Sequence, residues 1–297
     1  MRVFLTGGTG FIGSHVAVML LDEGHDVVMF ARNPDKVSGF VGHPHVEFVK
    51  GVMDDSDKIE AGLQGCDAAI HVALCWGNTA IDMLMNETRP SVFICEAAAK
   101  AGVKSYIYTS SEQAFGDPRP FRGEDVIPRP HTYYSATKAA AENYLMAIAK
   151  QYGIRANVVR PGYTFDNPAI EGAGPENNKT IPDLVARVKA GEKIEMSPNN
   201  AVHATSARNV ARVYRAILNS DVDRQIYLAI DAQKIRLADV AQKAIELSDT
   251  GAELVLTEER GDVEPDFDCG KIECEFGLTL DSWPHMVERI GYCLGQD

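Results

Sequence analysis

Short apolar runs alternate with longer stretches of helical periodicity through the first half of the chain. Runs over 3–6, 26–31, 45–50, 68–73, 104–110 and 155–160 are compact, several are β-branched, and each is bounded by Gly, Asp or Pro; they predict strands. Between them, 11–23, 57–63, 79–100 and 133–152 predict helices, and in the last of these Leu145, Ile148 and Ala149 recur at helical spacing. Gly24, Gly65, Gly102 and Gly153 fall just past the helix ends, where a left-handed residue is favoured. Regular strand–helix–strand alternation implies a doubly wound parallel sheet with helices on both faces.

Beyond residue 162 the pattern loosens. Residues 163–180, rich in Gly, Pro and Asn, predict a loop. Helices over 181–190, 206–219, 237–248 and 284–294 follow, with strands over 193–196, 225–230 and 253–257. The chain divides into 1–162, rejoined by 206–230, and a small discontinuous C-terminal lobe from 163–205 and 231–297. There is no repeat, low-complexity tract or linker.

Of the 297 residues, 45% are apolar and 24% charged, an ordinary globular composition. A formal charge of −13 and the absence of a basic run argue against a nucleic-acid partner. No apolar run reaches the roughly 18 residues of a membrane span, and the N-terminal stretch is too short for a signal peptide. Six scattered cysteines read as reduced thiols of a cytoplasmic protein. Neither Cys269 with Cys274 nor His43 with His45 has the company a metal site needs, so no metal is expected.

The first strand runs straight into Gly7-Gly8-Thr9-Gly10-Phe11-Ile12-Gly13. Glycines at this spacing turn the chain tightly, let the backbone approach a pyrophosphate and let helix and strand pack closely. The following helix N-terminus offers free N–H groups to phosphates. Strand before and helix after mark a Rossmann-type dinucleotide-binding domain. The second strand ends in Ala31-Arg32-Asn33, without the acid that would accept from a ribose 2′-hydroxyl. Arg32, with Lys36 nearby, suits a 2′-phosphate, which predicts NADP(H), with NAD(H) the alternative.

Tyr134 and Lys138 lie four apart on a predicted helix and share a face. An ammonium beside a phenol favours the phenolate, making Tyr134 a candidate acid/base for a hydroxyl–carbonyl pair. Alone, the spacing is common by chance and fits an ordinary helix surface better. Tyr133 is the weaker candidate, since Thr137 occupies its fourth position. Thr109-Ser110-Ser111 closes the fifth strand, at the sheet end where ligands of parallel sheets bind.

Four features then coincide in order: the loop over 6–13, His71-Val72-Ala73, Thr109-Ser110-Ser111 followed by Phe115-Gly116, and Tyr134-Ser135-Ala136-Thr137-Lys138. With Asn86-Glu87-Thr88, Arg160-Pro161-Gly162, Val202-His203 and Gly277, they make the chain resemble the extended short-chain dehydrogenase/reductase superfamily, the NAD(P)-dependent epimerase/dehydratase group. The resemblance implies that Gly7, Gly10, Phe11, Ile12 and Gly13 hold the pyrophosphate and adenine side. It implies that Ala73 lies along the cofactor, that Asn86 orients that region, and that the backbone at Pro161 meets the carboxamide. Ser111, Tyr134 and Lys138 become the catalytic set, with Lys138 also on the nicotinamide ribose. A homodimer through helices 79–100 and 133–152 is implied as well.

Departures from the family pattern narrow the function. Gly51-Val52 replaces Gly-Asp after the third strand, with Asp54 and Asp55 displaced. Glu112-Gln113 replaces the Asp-Glu of sugar-nucleotide dehydratases, and a glutamine cannot act as a base. Residues 197–201 lack the cation that grips a diphosphate, and Arg260 echoes a second such position only with a shift. Leu74-Cys75-Trp76-Gly77 would set apolar bulk at the mouth of the site. His203 is expected to be structural. These features predict an NADP(H)-dependent oxidoreductase or epimerase acting on a small carbonyl or hydroxyl compound; the missing cations lean toward a reductase and the frequency of epimerases in the family leans back. The alternatives are a sugar or nucleotide-sugar epimerase that retains its cofactor, and a non-catalytic dinucleotide sensor.

Overall fold

Seven strands form one parallel sheet in the computed structural model, which describes residues 1–116, 121–258 and 266–296. They are β1 (Arg2–Thr6), β2 (Asp26–Ala31), β3 (Val46–Lys50), β4 (Ala68–His71), β5 (Ser105–Thr109), β6 (Arg155–Pro161) and β7 (Ile226–Ala229). Their order is β7-β6-β5-β4-β1-β2-β3, with Val3 registered between Val27 and Ala68. The winding reverses between β1 and β4, which opens a crevice beyond their carboxyl ends, where ligands of such sheets bind.

Each face of the sheet is apolar and is covered. On one side α1 (Phe11–Asp22) and α7 (Ala207–Leu218) pack Val16, Leu20, Val210 and Tyr214 onto Leu5 and Ile107. On the other, α2 (Ser56–Leu63), α4 (Arg89–Lys100) and α5 (Tyr133–Tyr152) pack Ile59, Ile94 and Leu145 onto Phe4 and Tyr106. A third cluster joins α6 (Thr180–Lys189), α8 (Leu237–Glu246) and α10 (Trp283–Leu294) through Val185, Val240 and Met286. Ile272 on α9 (Gly270–Phe276), with Leu278 and Leu280, falls in the range read from sequence as lobe but packs into the sheet's core.

Three segments differ from the sequence-based expectation. The run over 79–100 is not one helix. It opens with α3 (Ala80–Met83), widens to a π-turn at Leu84–Thr88, then continues as α4. Pro90 explains the widening, because it lacks an N–H for the carbonyl four residues back and its ring crowds that carbonyl. The strand expected over 68–73 stops at His71, freeing Val72 and Ala73 to line the crevice. Within the expected loop, Tyr163–Phe165 forms a short strand parallel to Ala204–Ser206, a partner 41 residues away that local pattern does not reveal. Gly24, Gly65, Gly102 and Gly153 all take positive φ, as the helix-end reading requires.

The start of α5 is fixed by a reciprocal cap. Thr132 Oγ1 accepts from Ser135 N–H, and Thr132 N–H donates to Ser135 Oγ. Arg160 of β6 pins the helix's middle from below. It is 1% exposed and forks onto Glu142 at 2.9 and 2.6 Å, with its guanidinium 4.5 Å over the Phe115 ring.

Candidate active site

The phosphate end of the crevice is built by close backbone contact. Gly7 takes φ +74°, and its carbonyl accepts from Gly10 N–H at 2.9 Å. A Cβ on Gly13 would stand 2.0 Å from Gly7 O, and one on Gly7 would stand 2.5 Å from Ala73 N. Only hydrogens at both positions let α1 and the β4 loop close on the turn. Among the described residues no side chain caps the start of α1, so its first N–H groups lack an intrahelical partner at the crevice. This cradle fits a dinucleotide pyrophosphate.

A cleft of about 600 Å³ extends from the turn in both directions, lined by Gly7, Gly10, Phe11, Ile12, Arg32, Ala73 and Pro161. Toward β2 its wall is Phe30, Ala31, Arg32, Gly51 and Met53. The two displaced acids are engaged elsewhere: Asp55 accepts from Val52 N–H and Lys58, and Asp54 pairs with Arg89. Met53 lines this end, whereas Val52, at the position where the family pattern sets a carboxylate, is not part of the lining. Arg32 is exposed and forms no salt bridge among the described residues, whereas Lys36 lies outside the lining.

Toward β5 the cleft meets Ser110, Ser111, Tyr134 and Lys138. Ser111 lies two residues beyond β5 and caps a 3-10 turn, its Oγ accepting from Gln113 N–H at 3.2 Å. Tyr134 and Lys138 stand one turn apart on α5, with the Lys138 Nζ 5.8 Å from the Tyr134 ring centre. Lys138 is buried, and its ammonium donates to Glu87 Oε1 at 2.8 Å and Thr109 O at 3.1 Å. Burial opposes that charge, yet Tyr108, Glu87 and Tyr134 together outweigh it and hold the Lys138 pKa well above the ordinary lysine range. Ser110 Oγ is buried at the same wall without a hydrogen-bond partner among the described residues.

Comparison with known proteins gives this geometry a context. The family model described as the NAD dependent epimerase/dehydratase family matches residues 3–229. The chain belongs to that family. It is thus an NAD(P)-dependent enzyme of the extended short-chain dehydrogenase/reductase type. The 3 beta-hydroxysteroid dehydrogenase/Delta 5-->4-isomerase of Mycobacterium tuberculosis is 26% identical over 261 residues, covering 82% of this chain and 69% of that protein. The 4-hydroxy-2-methyl-3-oxo-4-farnesyl-3,4-dihydroquinoline-1-oxide ketoreductase of Stigmatella aurantiaca is 24% identical over 266 residues, covering 86% and 75%. Among solved structures, the dTDP-glucose 4,6-dehydratase DesIV of Streptomyces venezuelae, with NAD and TYD bound, aligns at TM-score 0.78. It is 20% identical and covers 100% of this chain and 98% of its own.

Within this family site, Asn86 is not where the resemblance sets it, and its neighbour Glu87 is buried instead. Asn86 is exposed and does not line the cleft. The π-turn instead directs Glu87 inward, 2% exposed, where it reaches Lys138 and accepts from Cys75 N–H at 2.8 Å. Pro90 was the available signal for that turn. Residues Gly174, Pro175, Asn177 and Asn178 also line the cleft, and Gly174 N–H donates to Thr9 O at 3.0 Å; nothing local in the sequence foretells this contact. At the mouth Leu74 is exposed and Trp76, 64% exposed, stacks on Tyr134 with ring centres 5.5 Å apart. Cys75 lies in the wall, its thiol pushed up by burial and by Glu87. His203 is buried against Asp231 O and the Phe267 ring, as expected of a structural histidine. The element 259–262 that contains Arg260 lies outside the described residues.

His71 supports the same wall from behind. Its Nδ1 lies 2.6 Å from Thr6 Oγ1, which also accepts from Ala73 N–H, and its Nε2 lies 3.0 Å from Ser91 Oγ. Burial, reinforced by the Lys138 charge, pushes its pKa down to about 3. The unfolded chain binds this proton below about pH 6.5 and the folded chain does not, so stability falls as pH drops through that window. At pH 5 the loss from His71 should be about 2 kcal/mol relative to pH 8. Denaturant titrations at both pH values measure it, and a His71→Asn variant should show a difference smaller by that amount. An unchanged difference would remove His71 from the account.

Proposed function

We propose that the enzyme is an NADP(H)-dependent dehydrogenase or reductase that interconverts a hydroxyl and a carbonyl on an apolar small molecule. The observation that carries the proposal is the convergence of Ser111, Tyr134 and Lys138 on one cleft whose floor is the glycine turn. When bound, the nicotinamide supplies or accepts the hydride. Tyr134 passes a proton to or from the substrate oxygen, Ser111 Oγ hydrogen-bonds that oxygen, and the Lys138 ammonium stands 5.8 Å from the Tyr134 ring centre. The proposal also assigns Lys138 to the nicotinamide ribose and Pro161 to the carboxamide. Leu74 and Trp76 favour an apolar substrate body. Residues 197–201 carry no cation for a diphosphate, and Gln113 cannot serve as the base of a sugar dehydratase. The dehydrogenase and ketoreductase names of the two curated relatives agree with this choice.

Arg32 favours NADP(H), since a guanidinium open at the end of β2 can fork onto a 2′-phosphate. The test is loss of nicotinamide absorbance when NADPH is incubated with a panel of apolar ketones and, separately, nucleotide sugars. Net oxidation with ketones is expected. Tightly retained cofactor with no net absorbance change, but with sugar interconversion, would replace the proposal by an epimerase. In fluorescence titrations Arg32→Ser should weaken NADPH by about 10–100-fold, the worth of a charge-assisted contact, and leave NADH nearly unchanged. Tighter NADH than NADPH binding to the unsubstituted protein would refute the preference.

A further inference from the structure

Lys138 has three N–H donors and no acceptor. Two are committed inside the protein, to Glu87 Oε1 at 2.8 Å and Thr109 O at 3.1 Å, and the ammonium also lies 4.9 Å from the Tyr108 ring centre, beside the cleft that Lys138 lines. Glu87 is committed at both ends as well, since its Oε2 accepts from Cys75 N–H at 2.8 Å. One carboxylate, 2% exposed, thus joins the ammonium on α5 to the backbone of the cleft wall after β4. A buried carboxylate is expensive to desolvate unless it is paired and hydrogen-bonded, and both oxygens here are satisfied. The π-turn made by Pro90 is what turns this side chain inward while Asn86 faces solvent.

We infer that Glu87 is a positioning residue. It fixes the Lys138 ammonium beside the cleft, and it ties that ammonium to the wall formed by residues 73–77. The inference rests on the proposed roles of Tyr134 and Lys138 for its catalytic meaning, but not for its physical test. The groups that face Lys138 are Tyr134 on its own helix, Tyr108 on β5, His71 on β4, Cys75 beyond β4 and Tyr214 on α7. His71 is held neutral, and among these described groups Glu87 alone is a carboxylate. Removing its charge leaves a buried ammonium without its balancing anion, which disfavours the protonated form.

The experiment is a pH titration of the protein labelled with carbon-13 at the lysine Cε, with the Lys138 signal assigned by its loss in Lys138→Met. In the unsubstituted protein the signal should not titrate up to about pH 11, above the usual lysine midpoint. In Glu87→Gln the midpoint should fall by about 2 units or more, within the range seen for unpaired buried lysines. Glu87→Asp keeps the charge and draws it back by one methylene, so it should give a smaller fall; it also serves if the glutamine variant does not fold. A Lys138 signal that titrates identically in the unsubstituted protein and in whichever variant folds overturns the inference. Neither measurement needs substrate or cofactor, so the inference stands or falls even if no NADPH oxidation is found. Where activity is found, Glu87→Gln should gain an alkaline limb in its pH–rate profile at the same midpoint. A loss of rate equal at every pH would mean that Glu87 only supports the fold.

Discussion

Tyr134→Phe is expected to lower kcat for carbonyl reduction by about 10²–10⁴-fold, the usual worth of a positioned general acid. The substitution isolates that role because it removes one hydroxyl and little else. The ring that stacks on Trp76 is retained, and the reciprocal cap at Thr132 and Ser135 that starts the helix is untouched. NADPH affinity and the thermal midpoint should therefore stay close to those of the unsubstituted protein, so a rate loss cannot be charged to misfolding. Tyr133→Phe is the control. Tyr133 is exposed, and the residue four positions on is Thr137, whose hydroxyl donates to the Tyr133 carbonyl. That variant should turn over normally. His71 cannot substitute as the acid, since it is buried and held neutral between Thr6 and Ser91. Unchanged turnover in Tyr134→Phe would remove Tyr134 as acid/base and with it the proposed mechanism.

What could be read from the sequence divides along a physical line. The strand–glycine–helix start and the sheet's winding are written in local pattern, because period, end-cap glycines and the spacing of Gly7, Gly10 and Gly13 act over a few residues. Ser111, Tyr134 and Lys138 could be named for a related reason: a strand end and one turn of helix place them. Glu87 was missed because its direction depends on a widened helical turn. The pattern over 79–100 gives the helical period, but Pro90 shifts the phase before it and exchanges the faces of Asn86 and Glu87. The contact of 174–178 with the glycine turn was missed because it joins segments more than 160 residues apart. The parallel pair Tyr163–Phe165 and Ala204–Ser206 is likewise non-local, its strands lying 41 residues apart. In the adenine-side wall, the displaced Asp54 and Asp55 were visible in sequence, whereas their capture by Arg89 and Lys58 was not.

Arg160→Met should lower the unfolding free energy by about 3–5 kcal/mol, the cost of leaving a buried partner charge uncompensated. Arg160 and Glu142 are both almost fully buried, and two parallel N–H donors meet two carboxylate oxygens. Removing the arginine strands Glu142 on α5 with no solvent to receive its charge. Glu142→Leu should lower it by a similar amount, because Arg160 would be left as a buried charge over the Phe115 ring. The double variant Arg160→Met with Glu142→Leu leaves no charge behind. It should recover most of the loss, since a well-packed apolar pair often equals a buried ion pair in stability. Denaturant unfolding of the four proteins forms a closed cycle whose coupling term measures the pair. Additive losses would show that the two side chains do not act together. The functional consequence follows from position. Glu142 stands one helical turn after Lys138, as Lys138 stands one turn after Tyr134, so the pair fixes the rotation of α5 that turns both toward the cleft. In the double variant stability should return while kcat stays reduced, because apolar packing restores burial without restoring the two-point register of helix on sheet.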